Sequence, residues 1–171
     1  TIEPSAEGDI SSVVWQGNPI GTTSSVAIRS EHFWHVGGFD PDMPALQDYD
    51  LWIRLAQSTL VGFDSKSSVE WTIHGHVGSQ MGSRPQIYEQ AVERLCDKYS
   101  KDLDSLSFLE RRRAYAWFNV LIAGKYALSG DYWHQLVYAM RSLKYYPLFY
   151  AFGYLLPHSI LMCVRCQLGR L

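Results

Sequence analysis

The chain has 171 residues, 47% hydrophobic and 14% aromatic, with a formal net charge of −2. That length buries a real core and suits one domain with an appendage, and the apolar share is ordinary for a globular protein. The small net charge hides an asymmetry: residues 1–110 carry seven Lys and Arg against sixteen Asp and Glu (−9), whereas residues 111–171 carry eight against one (+7). An acidic body with a basic tail argues against a nucleic-acid binder, whose positive charge would line its reading surface. It suits a tail that touches an anionic membrane surface, and equally a solvated basic helix face packed on an acidic domain. Three cysteines are too few for a disulfide scaffold and fit a reducing, cytoplasmic compartment. With Thr1 in place of an initiator Met, and no signal-peptide or low-complexity pattern, the chain reads as a piece of a longer or processed protein.

Taken in order, residues 1–12 are polar and read as loop, and Val13-Val14-Trp15 as a short strand ended by Gly17-Asn18-Pro19. Ser25 to Arg29 alternates, with Val26 and Ile28 on one face, which predicts a half-buried strand. Ser30 is placed to cap a short helix over Glu31 to Val36 that Gly37-Gly38 stops. Leu51, Trp52 and Leu55 recur at helical spacing, so a helix runs from Asp48 to about Gln57. Val61-Gly62-Phe63 reads as a strand, and Val69, Trp71 and Ile73 alternate with polar residues in another. Strands alternating with helices predict an α/β unit over residues 1–84, although three or four short strands make a poor free-standing sheet.

From Pro85 the texture becomes all-α. Ile87, Ala91, Leu95 and Tyr99 form a stripe at intervals of four, and Pro85 suits a first helical turn. Ser107 and Glu110 have capping-box spacing at the head of a long helix that stops near Gly130. Asp131 caps the next helix, which reaches Pro147, and the pair looks like one tetratricopeptide-type hairpin in an appendage over residues 85–146. Residues 147–171 form an apolar and basic tail. Tyr145 to Val164 holds twenty residues without Asp, Glu, Lys or Arg, long enough to span a bilayer. Pro147, Gly153 and Pro157 cut it into pieces of about ten, which favours an interfacial position over burial or spanning. Cys163 and Cys166 make a lone Cys-x-x-Cys, for which zinc would need two more ligands.

The chemistry-bearing stretch is Gly37-Gly38-Phe39-Asp40-Pro41-Asp42, followed by Gln47-Asp48-Tyr49-Asp50-Leu51-Trp52-Ile53-Arg54. Asp48 sits at the mouth of the predicted helix, where free backbone N–H groups and the positive dipole end suit a negative charge. On pattern alone it fits an N-cap as well as a catalytic base. Asp40-Pro41-Asp42 and Asp48-Tyr49-Asp50 are both Asp-X-Asp triplets, able in principle to hold Mg²⁺ or Mn²⁺. His74 and His76, in a Gly/Ser loop after the last strand, are either metal or diphosphate ligands or ordinary loop histidines.

The order and spacing of Gly17-Asn18-Pro19-Ile20-Gly21-Thr22-Thr23-Ser24-Ser25, Val36-Gly37-Gly38-Phe39-Asp40 and Gln47-Asp48-Tyr49-Asp50-Leu51-Trp52 resemble the acceptor-side half of a family 2 glycosyltransferase over roughly residues 15–80. Many members carry Glu-Asp where this chain has Gln47-Asp48. The resemblance implies a partial GT-A fold with a Rossmann-like sheet, the nucleotide-binding half lying outside this chain. It implies inverting transfer from a nucleotide-sugar donor to a glycan or lipid-linked acceptor. Asp48 would be the base, Gly37, Gly38, Phe39, Asp40, Asp50, Trp52 and Arg54 would shape the acceptor pocket, and a divalent metal (Mg or Mn), held mostly by residues absent from this chain, would be assisted by His76 and secondarily His74. The cysteine count and the charge of the tail suit a cytoplasmic protein, peripheral at the inner face of the membrane. A helical adaptor and a metal-dependent hydrolase using Asp40, Asp42, Asp48 and the histidines are the competing classes.

Overall fold

A computed structural model describes residues 6–64 and 84–147. Their helices are α1 (Ser30–His35), α2 (Gln47–Ala56), α3 (Pro85–Lys98), α4 (Ser100–Ser105), α5 (Phe108–Ser129) and α6 (Tyr132–Tyr145), with 3-10 turns at Val13–Gln16 and Thr23–Ser25. The described residues group into two compact units, 6–64 with 90–111, and 84–89 with 112–147. Most of α3 and all of α4 therefore group with the N-terminal residues rather than with the appendage expected over 85–146.

The expected α/β architecture is corrected by the structure: the described residues are mostly helical and contain no sheet. Their single strand-like pairing is the antiparallel bridge between Gly8 and Val61, closed by N–H···O bonds of 2.6 and 2.9 Å. Val13–Gln16 forms a 3-10 turn because Val14 and Trp15, adjacent in sequence, are both buried, whereas a strand would send them to opposite faces. Val26 and Arg29 have extended backbones, yet residues 26–29 ladder with no other described segment. Alternation supplies a half-buried face; only a neighbouring strand can satisfy the backbone groups of a sheet. The strand expected at Val69–Ile73 lies outside the described residues.

The first unit is organised around α2, which buries Tyr49, Asp50, Leu51, Trp52, Ile53, Leu55 and Ala56 and so has almost no solvated side. Three polar contacts fix its rotation and height. Tyr49 Oη donates to the Val14 carbonyl at 2.6 Å, Trp52 Nε1 donates to the Gly21 carbonyl at 2.9 Å, and Tyr99 Oη donates to Asp50 Oδ1 at 2.8 Å. The predicted α3 stripe is present, with Ala91 and Leu95 fully buried and Tyr99 set edge-on to Trp15 at 5.5 Å. α1 starts at Ser30 itself, so Ser30 is a helical residue and not the expected cap. It ends as expected at the double glycine: Gly38 N donates to the Phe33 carbonyl at 2.9 Å, with Gly37 and Gly38 at φ of +84° and +66°.

The second unit holds an antiparallel hairpin of α5 and α6. Ser107, just ahead of α5, makes the full capping box, its backbone N and Oγ donating to Glu110 Oε2 at 3.1 and 2.6 Å while Glu110 N donates to Ser107 Oγ at 3.4 Å. Gly130, at φ +80°, turns the chain, and Asp131 caps α6 by accepting from His134 N at 3.1 Å. Tyr126 stacks on His134 and Tyr138, and Tyr115 on Tyr145, with centroids 4.9, 5.7 and 5.4 Å apart. Tyr126 Oη also donates to Glu89 Oε1 at 2.8 Å, tying the first turns of α3 to α5. Burial, then Glu89, raises the Tyr126 hydroxyl far above its usual range, so it stays a donor.

A Cβ on Gly38 would lie 3.2 Å from the Phe33 ring in addition to meeting the left-handed backbone, whereas one on Gly37 meets nothing. Urea unfolding is expected to show Gly38→Ala costing about 2 kcal/mol and Gly37→Ala about 1 kcal/mol.

Candidate functional site

The Gly-Gly turn and the first turn of α2 face the C-terminal end of α3, and their carboxylates separate into distinct roles. Asp50 is wholly buried. Its Oδ2 accepts from Arg54 Nε at 3.1 Å and Nη2 at 2.6 Å, and its Oδ1 accepts from Lys98 Nζ at 2.7 Å and Tyr99 Oη at 2.8 Å. A buried carboxylate is tolerable only when charge and lone pairs are answered this fully. Arg54 sends its third nitrogen, Nη1, to the carbonyls of Val36 at 2.5 Å and Gly38 at 2.7 Å, so the same guanidinium clamps the end of α1. Lys98 Nζ also donates to Asp40 Oδ2 at 2.7 Å, while Asp40 Oδ1 accepts from Asp42 N at 3.0 Å. Asp42 meets Arg94 at 3.2 Å in an exposed pair.

Of the residues expected to shape the acceptor pocket, Gly38, Asp40, Asp50 and Arg54 are therefore gathered into one ion network. Its charge holds two groups away from their ordinary titration. The Lys98 ammonium, helped by the Asp42 N–H, lowers the Asp40 carboxyl below the usual carboxylate range. Burial, reinforced by hydrogen bonding to Asp50 and by its charge, raises the Tyr99 hydroxyl well above the usual phenol range. Lys98 and Arg94 were not singled out by sequence reasoning, and Tyr99 was read only as part of an apolar stripe. Lys98 is 48 residues from Asp50, and the only local signal was that a carboxylate paired at i,i+4 with Arg54 keeps a second oxygen to satisfy.

Asp48 stands outside that network. It is the second residue of α2, not its N-cap; that place belongs to Leu46, at φ +60° the sole non-glycine residue with positive φ among those described. A branched aliphatic side chain in that region is strained. Asp48 Oδ1 accepts from Tyr49 N at 2.8 Å, the side chain is half-buried, and it forms no ion pair with a Lys or Arg among the described residues. Gly37 and Phe39 are exposed at the turn, with Phe39 edge-on to Phe33 at 5.6 Å.

Trp52 points elsewhere, into the wall of a cavity of about 630 Å³ within the first unit. Its other walls include Ile20, Ile28, Arg29, His32 and Phe63. Asp48, Asp40 and the double glycine do not line it. His74 and His76 lie outside the described residues.

Among the described residues no three His, Cys, Asp or Glu side chains gather to hold a metal ion. Asp40, Asp42 and Asp50 are already engaged by Lys98, Arg94 and Arg54. The metal that the resemblance implies is assigned mostly to residues outside this chain, with His76 and His74 outside the described residues. No described helix is long and apolar enough to cross a membrane. Comparison with protein-family models, curated proteins and solved structures finds no match.

Asp50→Asn leaves Arg54 and Lys98 facing a neutral amide in a buried site, and chemical denaturation should show a loss of about 3–5 kcal/mol. Asp42→Asn, which opens an exposed pair, should cost no more than about 1 kcal/mol. The lowered Asp40 carboxyl contributes stability that is complete above the ordinary carboxylate range and disappears as pH falls through its folded value. Stability measured from about pH 5 downward should therefore fall less steeply in Asp40→Asn than in the parent.

Proposed function

We propose that this chain is the acceptor-side part of an inverting, family 2-like glycosyltransferase in which Asp48 is the general base. The observation that carries the reading is the division among four neighbouring carboxylates. Asp40, Asp42 and Asp50 each hold a cation, whereas Asp48 is paired with none among the described residues. A base must accept a proton at working pH, and a carboxylate locked to Lys or Arg is poorly placed to do so. Asp48 instead has one oxygen anchored on the Tyr49 N–H, half-exposed on a helix otherwise buried and immobilised by Asp50 and Arg54. Strain at Leu46, directly ahead, is of the kind that clusters at functional sites.

On this reading the acceptor hydroxyl gives its proton to Asp48 Oδ2 while its oxygen attacks the anomeric carbon of a nucleotide-sugar. The bond from that carbon to the diphosphate oxygen breaks, and the nucleoside diphosphate leaves with the electron pair. The acceptor is a glycan or a lipid-linked sugar. The divalent ion belongs to carboxylates of a nucleotide-binding half and to His76 and His74, outside the described residues, and no step above is assigned to it. The reading uses the motif residues alone and not the sheet corrected above. It places the enzyme in the cytoplasm, peripheral to the membrane.

Asp48→Asn in the complete enzyme should lower sugar transfer by about 10²–10⁴-fold, with nucleotide-sugar binding by calorimetry unchanged. Turnover close to that of the parent would remove Asp48 from the mechanism.

A further inference from the structure

Helix α6 buries two polar side chains, Gln135 and Ser142, while exposing several large apolar ones. Gln135, Ala139 and Ser142 form its buried face. On the opposite side Trp133, Leu136 and Met140 are 70%, 39% and 55% exposed, and with half-buried Val137 they follow the i, i+3, i+4, i+7 spacing of one helical stripe. Ordinary surface helices reverse this arrangement, so the outward stripe is built to be covered. Arg141 and Lys144 are exposed beside it, and residues 132–171 contain no Asp or Glu. The acids close to the helix are engaged within the hairpin: Asp131 by His134, 2.7 Å from its ring, and Glu89 by the hydroxyls of Tyr126 and Tyr138.

We propose that this face of α6 is a docking surface for a bilayer of anionic phospholipid, with Trp133, Leu136, Val137 and Met140 entering the headgroup–acyl boundary and Arg141 and Lys144 meeting lipid phosphates. Charge selects this occupant. A second copy on a two-fold axis would bring the same cations face to face, a repulsive arrangement with no acid in the helix to answer it. An anionic bilayer supplies both an apolar layer and the opposite charge. The proposal uses no residue after Pro147 and is independent of the role given to Asp48.

The test uses the whole chain in sedimentation with phosphatidylcholine vesicles, with and without phosphatidylglycerol. Binding should require phosphatidylglycerol and weaken as salt rises. Trp133→Ser with Met140→Ser, and separately Arg141→Glu with Lys144→Glu, should each weaken it by at least about tenfold. Unchanged circular dichroism would show that both variants keep their helices. Affinity equal to the parent's in both variants would assign membrane contact to the tail and overturn the proposal. So would binding indifferent to anionic lipid, or a parent dimer that the Trp133 and Met140 changes dissolve.

Discussion

A single buried charge holds the first unit together. Asp50 has no access to water, and a carboxylate stripped of hydration in a low-dielectric interior persists only if cations and donors replace what water supplied. Arg54 and Lys98 supply the cations and Tyr99 a third donor. Each replacement comes from a segment that must be fixed in place to deliver it. Arg54 is one turn along α2, Lys98 ends α3, and Arg54 in turn fastens the carbonyls of Val36 and Gly38. The Gly-Gly turn, α2 and α3 are thus joined less by apolar contact, which tolerates sliding, than by directional bonds that fix one register. Breaking one partner of such a cluster costs far more than an exposed pair, because the remaining charge stays buried.

That requirement changes the meaning of the acidic motif. Read along the chain, Asp40, Asp42, Asp48 and Asp50 look like a reservoir of interchangeable ligands and bases. In three dimensions the two Asp-X-Asp triplets are split, with three of the four carboxylates neutralised by α3 and Arg54. The division does not depend on any assumed reaction. It also explains how a chain so acidic over residues 1–110 concentrates carboxylates in one place without mutual repulsion.

Several local signals were legible in the sequence, although Ser30, expected to cap α1, is a helical residue. The Ser107–Glu110 box, the Gly130 turn with its Asp131 cap and the α3 stripe all depend on residues within one or two helical turns of each other, and all are present. The missing sheet shows the limit. Val26 and Ile28 alternate as a strand should, but alternation constrains only the faces of a segment and says nothing of what lies at its edges. Val14 and Trp15 were misread for a related reason, since a short apolar run has no period of its own. Lys98 was invisible because its partners lie 48 and 58 residues away, and Leu46 because no residue type announces a left-handed leucine. The outward stripe of α6 was not read from the sequence; the burial of Gln135 and Ser142 on the other side reveals it.

Aromatic pairs join the two helices of the hairpin: Tyr126 of α5 stacks on Tyr138 of α6, and Tyr115 on Tyr145. α6 buries Gln135, Ala139 and Ser142 and leaves Trp133, Leu136 and Met140 exposed. Such a face carries a standing cost in water, and a helix keeps it only where another surface removes it. The same part of the chain concentrates positive charge, +7 over residues 111–171, which on the proposal above favours an anionic partner surface.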